Sequence, residues 1–269
     1  MVGNNDLKGK WALILGASSG FGGATARALA AAGMNIAGVH LDLRATLPLA
    51  KAVVADIEAA GSRALFFNTN AADPEKRANV LAGLGKALKE TGEQHVHVMM
   101  HSLAFGSLLP FIADDPEQAI TKAQMEMTLD VMANSLVYWT QDLVRCGLLG
   151  RGSRIFSMTS EGSHRVVPNY GAVSAAKAAL ESHTRALAME LGPRGILVNT
   201  IEAGVTDTPA LRKIPGHEAM LEMAARRNPS GRLTTAQDVA NTIAALSQPS
   251  LNFISGSVIF VDGGEDTIG

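Results

Sequence analysis

Trp11-Ala12-Leu13-Ile14-Leu15 runs directly into Gly16-Ala17-Ser18-Ser19-Gly20-Phe21-Gly22, and the reading of that junction decides the fold. Five apolar residues closed by a glycine read as a short buried strand, and Ala24 to Ala32, rich in alanine and leucine, reads as a helix. Between them the glycines allow a tight turn and close approach of a ligand, while the free N–H groups at a helix start favour a pyrophosphate. Gly16, Ser18, Ser19, Gly20, Phe21 and Gly22 are therefore assigned to dinucleotide binding. A glycine turn that merely ends a strand is the plainer alternative.

The same alternation continues outward from that junction. Strand-like Asn35 to Leu41, Ala64 to Phe67, Val96 to His101, Arg154 to Met158, Ile196 to Ile201 and Ser257 to Val261 are separated by helical stretches. Those stretches fall at about 47–60, 74–90, within 122–149, after Tyr170, and at 236–246. Alternating β and α over the whole length predicts a Rossmann-type, doubly wound parallel sheet of about seven strands with helices on both faces. No repeat or low-complexity linker interrupts it, so residues 1–269 read as one domain.

Composition narrows the function. Charged residues make up 18% and the net charge is -2 without a long basic run, which argues against nucleic acid as partner. One cysteine, Cys146, excludes an internal disulfide and fits a reducing compartment. No apolar run approaches the ~20 residues that span a bilayer, and Met1 to Asp6 lack a signal-peptide pattern. The expectation is a cytoplasmic protein without a membrane segment, and no metal-ligand set is assigned.

Chemistry concentrates in Pro168-Asn169-Tyr170-Gly171-Ala172-Val173-Ser174-Ala175-Ala176-Lys177. Read as helix, Tyr170 and Lys177 lie two turns apart, within about 20° on one face and roughly 10.5 Å apart in rise. A lysine beside a tyrosine favours the phenolate and lowers its pKa, giving a tuned donor. A half-buried ring and a solvated ammonium is the plainer meaning of the same spacing.

With the glycine turn, Tyr170 and Lys177, and Val261-Asp262-Gly263-Gly264 near the end, the chain resembles the short-chain dehydrogenase/reductases over nearly its whole length. The resemblance implies NAD(P) across the carboxyl ends of the strands and Lys177 on the nicotinamide ribose. It places Asn70 and Ala71 by the adenine, and His101, Ser102 and Leu103 along the inner edge of the cofactor. Gly204 and Val205 would offer backbone groups to the carboxamide, with Thr208 near the nicotinamide and its phosphate.

Departures from the common pattern narrow the resemblance. Six residues rather than three separate the tyrosine from the lysine, His101-Ser102 follows the fourth strand, and Met132 falls where many members carry a helix asparagine. The combination is similar to enoyl-acyl-carrier-protein reductases, although their frequent second tyrosine is replaced by Ser160. A donor for an enoyl thioester should stand further from the hydride acceptor than one for a ketone, because charge develops on the thioester oxygen two carbons away. A three-residue shift moves the tyrosine by roughly 4.5 Å along a helix, the right sense and size.

Tyr170 is therefore cast as enolate-stabilising donor, Lys177 as ribose anchor and pKa tuner, and Ser160 as secondary donor or a plain strand-end serine. Tyr138, the only other tyrosine, is expected to be a packed core ring. The segment at about 205–232 would cover the substrate. Its Leu211, Ile214, Met220, Leu221 and Met223 are candidates for an acyl slot, and Arg212, Lys213, Arg226 and Arg227 for an acidic acyl carrier protein. A hydroxy/keto oxidoreductase and a non-catalytic cofactor-binding regulator are the alternatives.

The resemblance also implies a symmetric homo-oligomer, dimer or tetramer, with Met125, Leu129, Leu136, Val137 and Leu143 as the motivating apolar positions. For the cofactor, NADP(H) is slightly favoured over NAD(H). His40 stands where NAD-preferring members carry aspartate, and Arg44 lies close enough to meet a 2′-phosphate. Asp42 between them is the opposing sign.

Overall fold

The computed structural model describes residues 6–268; the reading of Met1 to Asn5 falls outside them. Seven strands form one parallel sheet: β1 (Trp11–Leu15), β2 (Asn35–His40), β3 (Ala64–Asn68), β4 (Val96–His101), β5 (Arg154–Thr159), β6 (Leu197–Ala203) and β7 (Val258–Val261). Their order is β3-β2-β1-β4-β5-β6-β7. Strand order reverses between β1 and β4, and such a switch point opens a crevice at the carboxyl ends of the strands.

Eight α-helices accompany the sheet among the described residues: α1 (Gly20–Ala31), α2 (Leu47–Ala59), α3 (Pro74–Thr91), α4 (Lys122–Leu129), α5 (Ser135–Arg145), α6 (Gly171–Leu191), α7 (His217–Arg227) and α8 (Ala236–Leu246). Two cores follow from their placement. One face joins Val80 and Leu84 of α3, Leu136 and Leu143 of α5 and Leu180 of α6 to inward residues of the sheet. The other joins Ala26 and Leu29 of α1, Val53 and Ile57 of α2 and Val239 and Ile243 of α8. Strands β1, β2, β4 and β5 are buried along their whole length, as a sheet covered on both faces requires.

The long helix expected within 122–149 is broken. A π-helical turn, Asp130–Asn134, separates α4 from α5, and such turns bulge a helix without ending it. After it, Ser135 turns its hydroxyl back onto the Val131 carbonyl at 2.8 Å while sharing a hydrogen bond with His101. Leu136 and Leu143 are fully buried in the core and unavailable to a second chain, whereas Met125, Leu129 and Val137 are half-buried. Tyr138 departs from expectation too. It is 37% exposed and lies under the Arg77 guanidinium, 5.8 Å from its ring centre.

Candidate active site

Backbone geometry builds the first half of the site. Gly16 has φ +88° at the end of β1, and a Cβ there would overlap the Ser102 carbonyl oxygen. A Cβ on Gly22 would overlap the Gly16 carbonyl oxygen. The turn thus closes against the end of β4 with no room for a side chain, and Gly20 (φ +53°) leads straight into α1. Ser19 caps α1 without a side-chain hydrogen bond, so the first N–H groups of the helix, which lack partners inside it, face the crevice mouth. This cradle fits a dinucleotide pyrophosphate. Thr208 crosses it, its methyl 3.7 Å from where a Gly20 Cβ would stand.

Neighbouring positions sort themselves by what their polar groups already do. Ser102 donates its N–H to the Leu15 carbonyl, fixing β4 to β1 at the crevice. His101 is fully buried, and its Nε2 meets Ser135 Oγ at 2.8 Å. Burial, helped by the charge of Lys177, pushes that imidazole down to about 3, so it is a neutral positioning residue. Asn70 closes its own turn by accepting from the Ala72 N–H, and Ala71 is buried with its carbonyl held by the Trp139 indole. Leu103 packs on the core. Gly204 has Thr234 and Glu265 close upon it. Val205 donates its N–H to Glu265 Oε2 at 3.2 Å, so of its backbone groups only the carbonyl is uncommitted to that contact.

His40 is not presented to a ribose as expected. Its ring is 6% exposed, tilted against Phe66, with Nδ1 2.8 Å from Asp42 Oδ2. Asn68 clamps the Asp42 backbone through both its amide groups. Burial works to raise the Asp42 carboxyl, but hydrogen bonds from Thr46, Ser18 and His40 prevail and hold it below the usual range. Arg44, two residues on, is exposed.

The second half of the site depends on side chains. Tyr170 is not inside α6 but caps it, preceded by Asn169 in the left-handed region at φ 61°. Asparagine tolerates that conformation better than most residues. The bend lays the tyrosine ring on Gly162, where a Cβ would come within 2.6 Å of it. The hydroxyl then stands 3.4 Å from Ser160 Oγ, so the two predicted donors do meet.

Lys177 meets neither of them. Its ammonium is buried and donates to the Met158 carbonyl at 2.6 Å. Burial lowers it to about 8, against the raising influence of Glu181. Tyr170 is shifted upward, by burial, with the Ser160 hydrogen bond pulling the other way. The expectation that Lys177 lowers the phenol's pKa therefore fails in this structure: desolvation outweighs a charge that is turned toward β5.

Several features escaped the sequence reading. Phe111, in the segment after β4, lies over Gly171 at the head of α6, where a Cβ would overlap its ring; Phe105 and Ile112 on the same segment are exposed. Apolar residues of 103–121 therefore lie beside Tyr170, and further apolar residues stand on 205–232. In the latter, Leu211, Ile214, Met220 and Leu221 are half-buried and Met223 faces solvent. Arg227 is turned inward onto Glu161 and Glu265, and Met132 is buried by Gly106. An asparagine does stand on the π turn: Asn134 Oδ1 meets His183 Nε2 at 3.1 Å. It is bound to His183 of α6, two residues beyond the Met132 position where an asparagine was expected.

A parallel sheet with its glycine turn at the switch point and a Tyr-(x)6-Lys pair beyond β5 defines a dinucleotide-binding fold of the short-chain dehydrogenase/reductase kind. The family model described as enoyl-(acyl carrier protein) reductase matches residues 16–265, and the chain belongs to that family. A 1-cyclohexenylcarbonyl-CoA reductase of Streptomyces collinus is 31% identical over 94% of this chain and 85% of its own. The NADH-named enoyl-acyl-carrier-protein reductase of Buchnera aphidicola is 34% identical, but the match spans 61% of this chain and 62% of the relative. Among solved structures, the promiscuous reductase LugOII, described as catalysing keto-reduction in lugdunomycin biosynthesis, superposes with TM-score 0.83 at 32% identity, covering 97% and 99% of the two chains.

Proposed function

We propose that the protein reduces the 2,3 double bond of an enoyl thioester at the expense of NAD(P)H, as in fatty acid synthesis. The observation that carries this reading is the Ser160–Tyr170 pair: two hydroxyls converge at the start of α6, one turn further from Lys177 than a Tyr-(x)3-Lys arrangement would put them. When bound, the nicotinamide supplies the hydride that adds at C3. Gly16, Gly20, Gly22 and the head of α1 would hold the pyrophosphate, and Lys177 would leave the Met158 carbonyl for the ribose. Tyr170, protonated well above neutral pH, would donate a hydrogen bond to the thioester oxygen as charge accumulates there, beside Ser160, and the enolate would then take a proton at C2 from solvent water to complete the reduction. A donor aimed at developing charge in a water-poor site is commonly the largest catalytic contribution.

Phe111 and the 205–232 segment cover the acyl chain, and the exposed Lys213 remains for an acidic acyl carrier protein. A half-buried strip of Met125, Leu129 and Val137 is left for a homo-oligomer. NADPH is the preferred cofactor, because Asp42 is hydrogen-bonded to His40 rather than free, while Arg44 stays exposed. The likeness to LugOII favours a second reading, in which Tyr170 protonates a ketone. Cofactor oxidation followed with crotonyl-acyl-carrier protein, crotonyl-coenzyme A and a simple ketone separates the two. Turnover of the ketone alone rejects the enoyl reading.

A further inference from the structure

We propose that His164, Glu202 and Asp266 bind one divalent first-row transition-metal cation, of the Zn²⁺ or Mn²⁺ type, pinning the segment after β5 to the end of β6 and to the carboxyl-terminal tail. These residues lie 38 and 64 positions apart in the chain, yet one ligand atom from each falls within 4.8 Å of the other two.

Glu202 carries the argument. It is 2% exposed at the carboxyl end of β6, and its Oε1 is buried with no hydrogen-bond partner among the described residues. Buried carboxylates are ordinarily paired, hydrogen-bonded or metal-bound. The cations already present are taken: Arg165 pairs with Asp266 and Glu161, and Arg227 with Glu161 and Glu265. Asp262 accepts backbone N–H groups of Gly264 and Asp266. The neighbourhood therefore holds more carboxylates than guanidinium groups, and Glu202 is the one left out.

The rest of the cluster is shaped as a ligand set. His164 Nε2 stands 3.1 and 3.2 Å from the two Asp266 oxygens, close to the ~3.4 Å edge of a tetrahedron with ~2.1 Å bonds. Glu202 brings a third ligand oxygen within 4.8 Å of both. The other imidazole nitrogen, Nδ1, is held by Ser163 Oγ at 3.0 Å, and Arg165 Nε holds Asp266 Oδ1 at 2.7 Å. That leaves His164 Nε2 and Asp266 Oδ2 for the ion. Outer partners of this kind orient metal ligands and fix the tautomer. One imidazole with two carboxylates suits Zn²⁺ or Mn²⁺ better than Mg²⁺ or Ca²⁺, which take all-oxygen shells.

The test uses the full chain stripped with chelator, titrated by calorimetry with ZnCl2, MnCl2 and MgCl2, with thermal melting in parallel. One Zn²⁺ or Mn²⁺ per chain is expected, together with a raised melting temperature. Glu202→Gln should weaken binding more than about tenfold and melt, without metal, no lower than the wild type, because it removes a buried carboxyl that has no partner among the described residues. His164→Ala, at a side chain 46% exposed, should lose binding equally and gives the same information if Glu202→Gln does not fold. Absence of stoichiometric binding overturns the proposal. So does binding that survives both substitutions, or Mg²⁺ binding as tight as Mn²⁺.

Discussion

The two halves of the crevice are specified by opposite means. At the β1–α1 turn the backbone itself is the instrument, and what matters is that Gly16 and Gly22 carry nothing: each carbonyl occupies the space of a missing Cβ. Beyond β5, the backbone is a bracket and the instruments are side chains, with Tyr170, Ser160 and Lys177 each placed by a different element. The first half fails when an atom is added. The second fails when one is taken away.

That contrast is broken most severely at the glycines. Gly22→Ala should cost about 3 kcal/mol, the upper end for overpacking, since a clash with backbone cannot be relieved by a rotamer change, and should abolish dinucleotide binding. Gly23→Ala is the control, because a Cβ there meets its nearest neighbours at 3.5 Å. Chemical denaturation and fluorescence titration with NADPH measure both. A Gly22→Ala protein as stable as Gly23→Ala would show that the turn has slack the geometry denies.

Tyr170→Phe tests the other half. Its fold should be intact and its cofactor affinity nearly unchanged, while turnover of an enoyl thioester falls by about 10²–10³, the usual loss for a donor used in the transition state. Ser160→Ala should cost much less, because 3.4 Å is longer than the ~2.5–3.0 Å of a well-formed hydroxyl–hydroxyl bond. Steady-state kinetics with crotonyl thioesters give both numbers. Near-native turnover by Tyr170→Phe would remove the phenol from the mechanism.

The same division explains what the sequence could reveal. Strand β4 and helix α8 match the expected 96–101 and 236–246 because apolar runs and caps are local signals; Thr235 and Asp238 form a capping box within four residues. The glycine turn is likewise local. Tyr170 and Lys177 were recognisable, but their relation was not: a left-handed Asn169 puts the tyrosine outside the helix, and a carbonyl on β5 draws the lysine away. Arg227 reads as surface charge in a polar stretch, yet its partner Glu161 lies 66 residues earlier. The π turn keeps the composition of a helix while shifting which side chains face inward. Periodicity reports the face a residue takes, not the partner that waits there.

A smaller effect separates the charge of Lys177 from its reach. Its folded pKa of about 8 lies below the ordinary 10.5 because burial disfavours the ammonium. Between those values the unfolded chain holds the extra proton, so unfolding free energy should rise as pH increases across that window and level off above it. Lys177→Met should lack this slope, the difference amounting to on the order of 1–3 kcal/mol. Urea midpoints of cofactor-free protein at several pH values measure it. Parallel pH profiles would mean that the ammonium is better solvated than its position implies.

The smallest effect concerns the 2′-phosphate, where backbone clamps and committed side chains meet in the loop after β2. Asp42 would repel a phosphate if it were free, but it is buried with His40 at 2.8 Å and clamped through its backbone by Asn68. Arg44 has no such commitment in its exposed turn, and guanidinium groups bind phosphate in a forked geometry that little else in the loop can imitate. Arg44→Ala should therefore weaken NADPH by about tenfold, equivalent to ~1.4 kcal/mol, and leave NADH unchanged. Asp42→Ala should do the reverse of what a free carboxylate would predict: with His40 deprived of its partner the strand end loosens, and both cofactors bind more weakly. Dissociation constants for NADH and NADPH on the three proteins decide the matter. Tighter binding of NADH by the wild type, or a selective gain for NADPH in Asp42→Ala, would mean that Asp42 faces the ribose directly and that His40 only supports it.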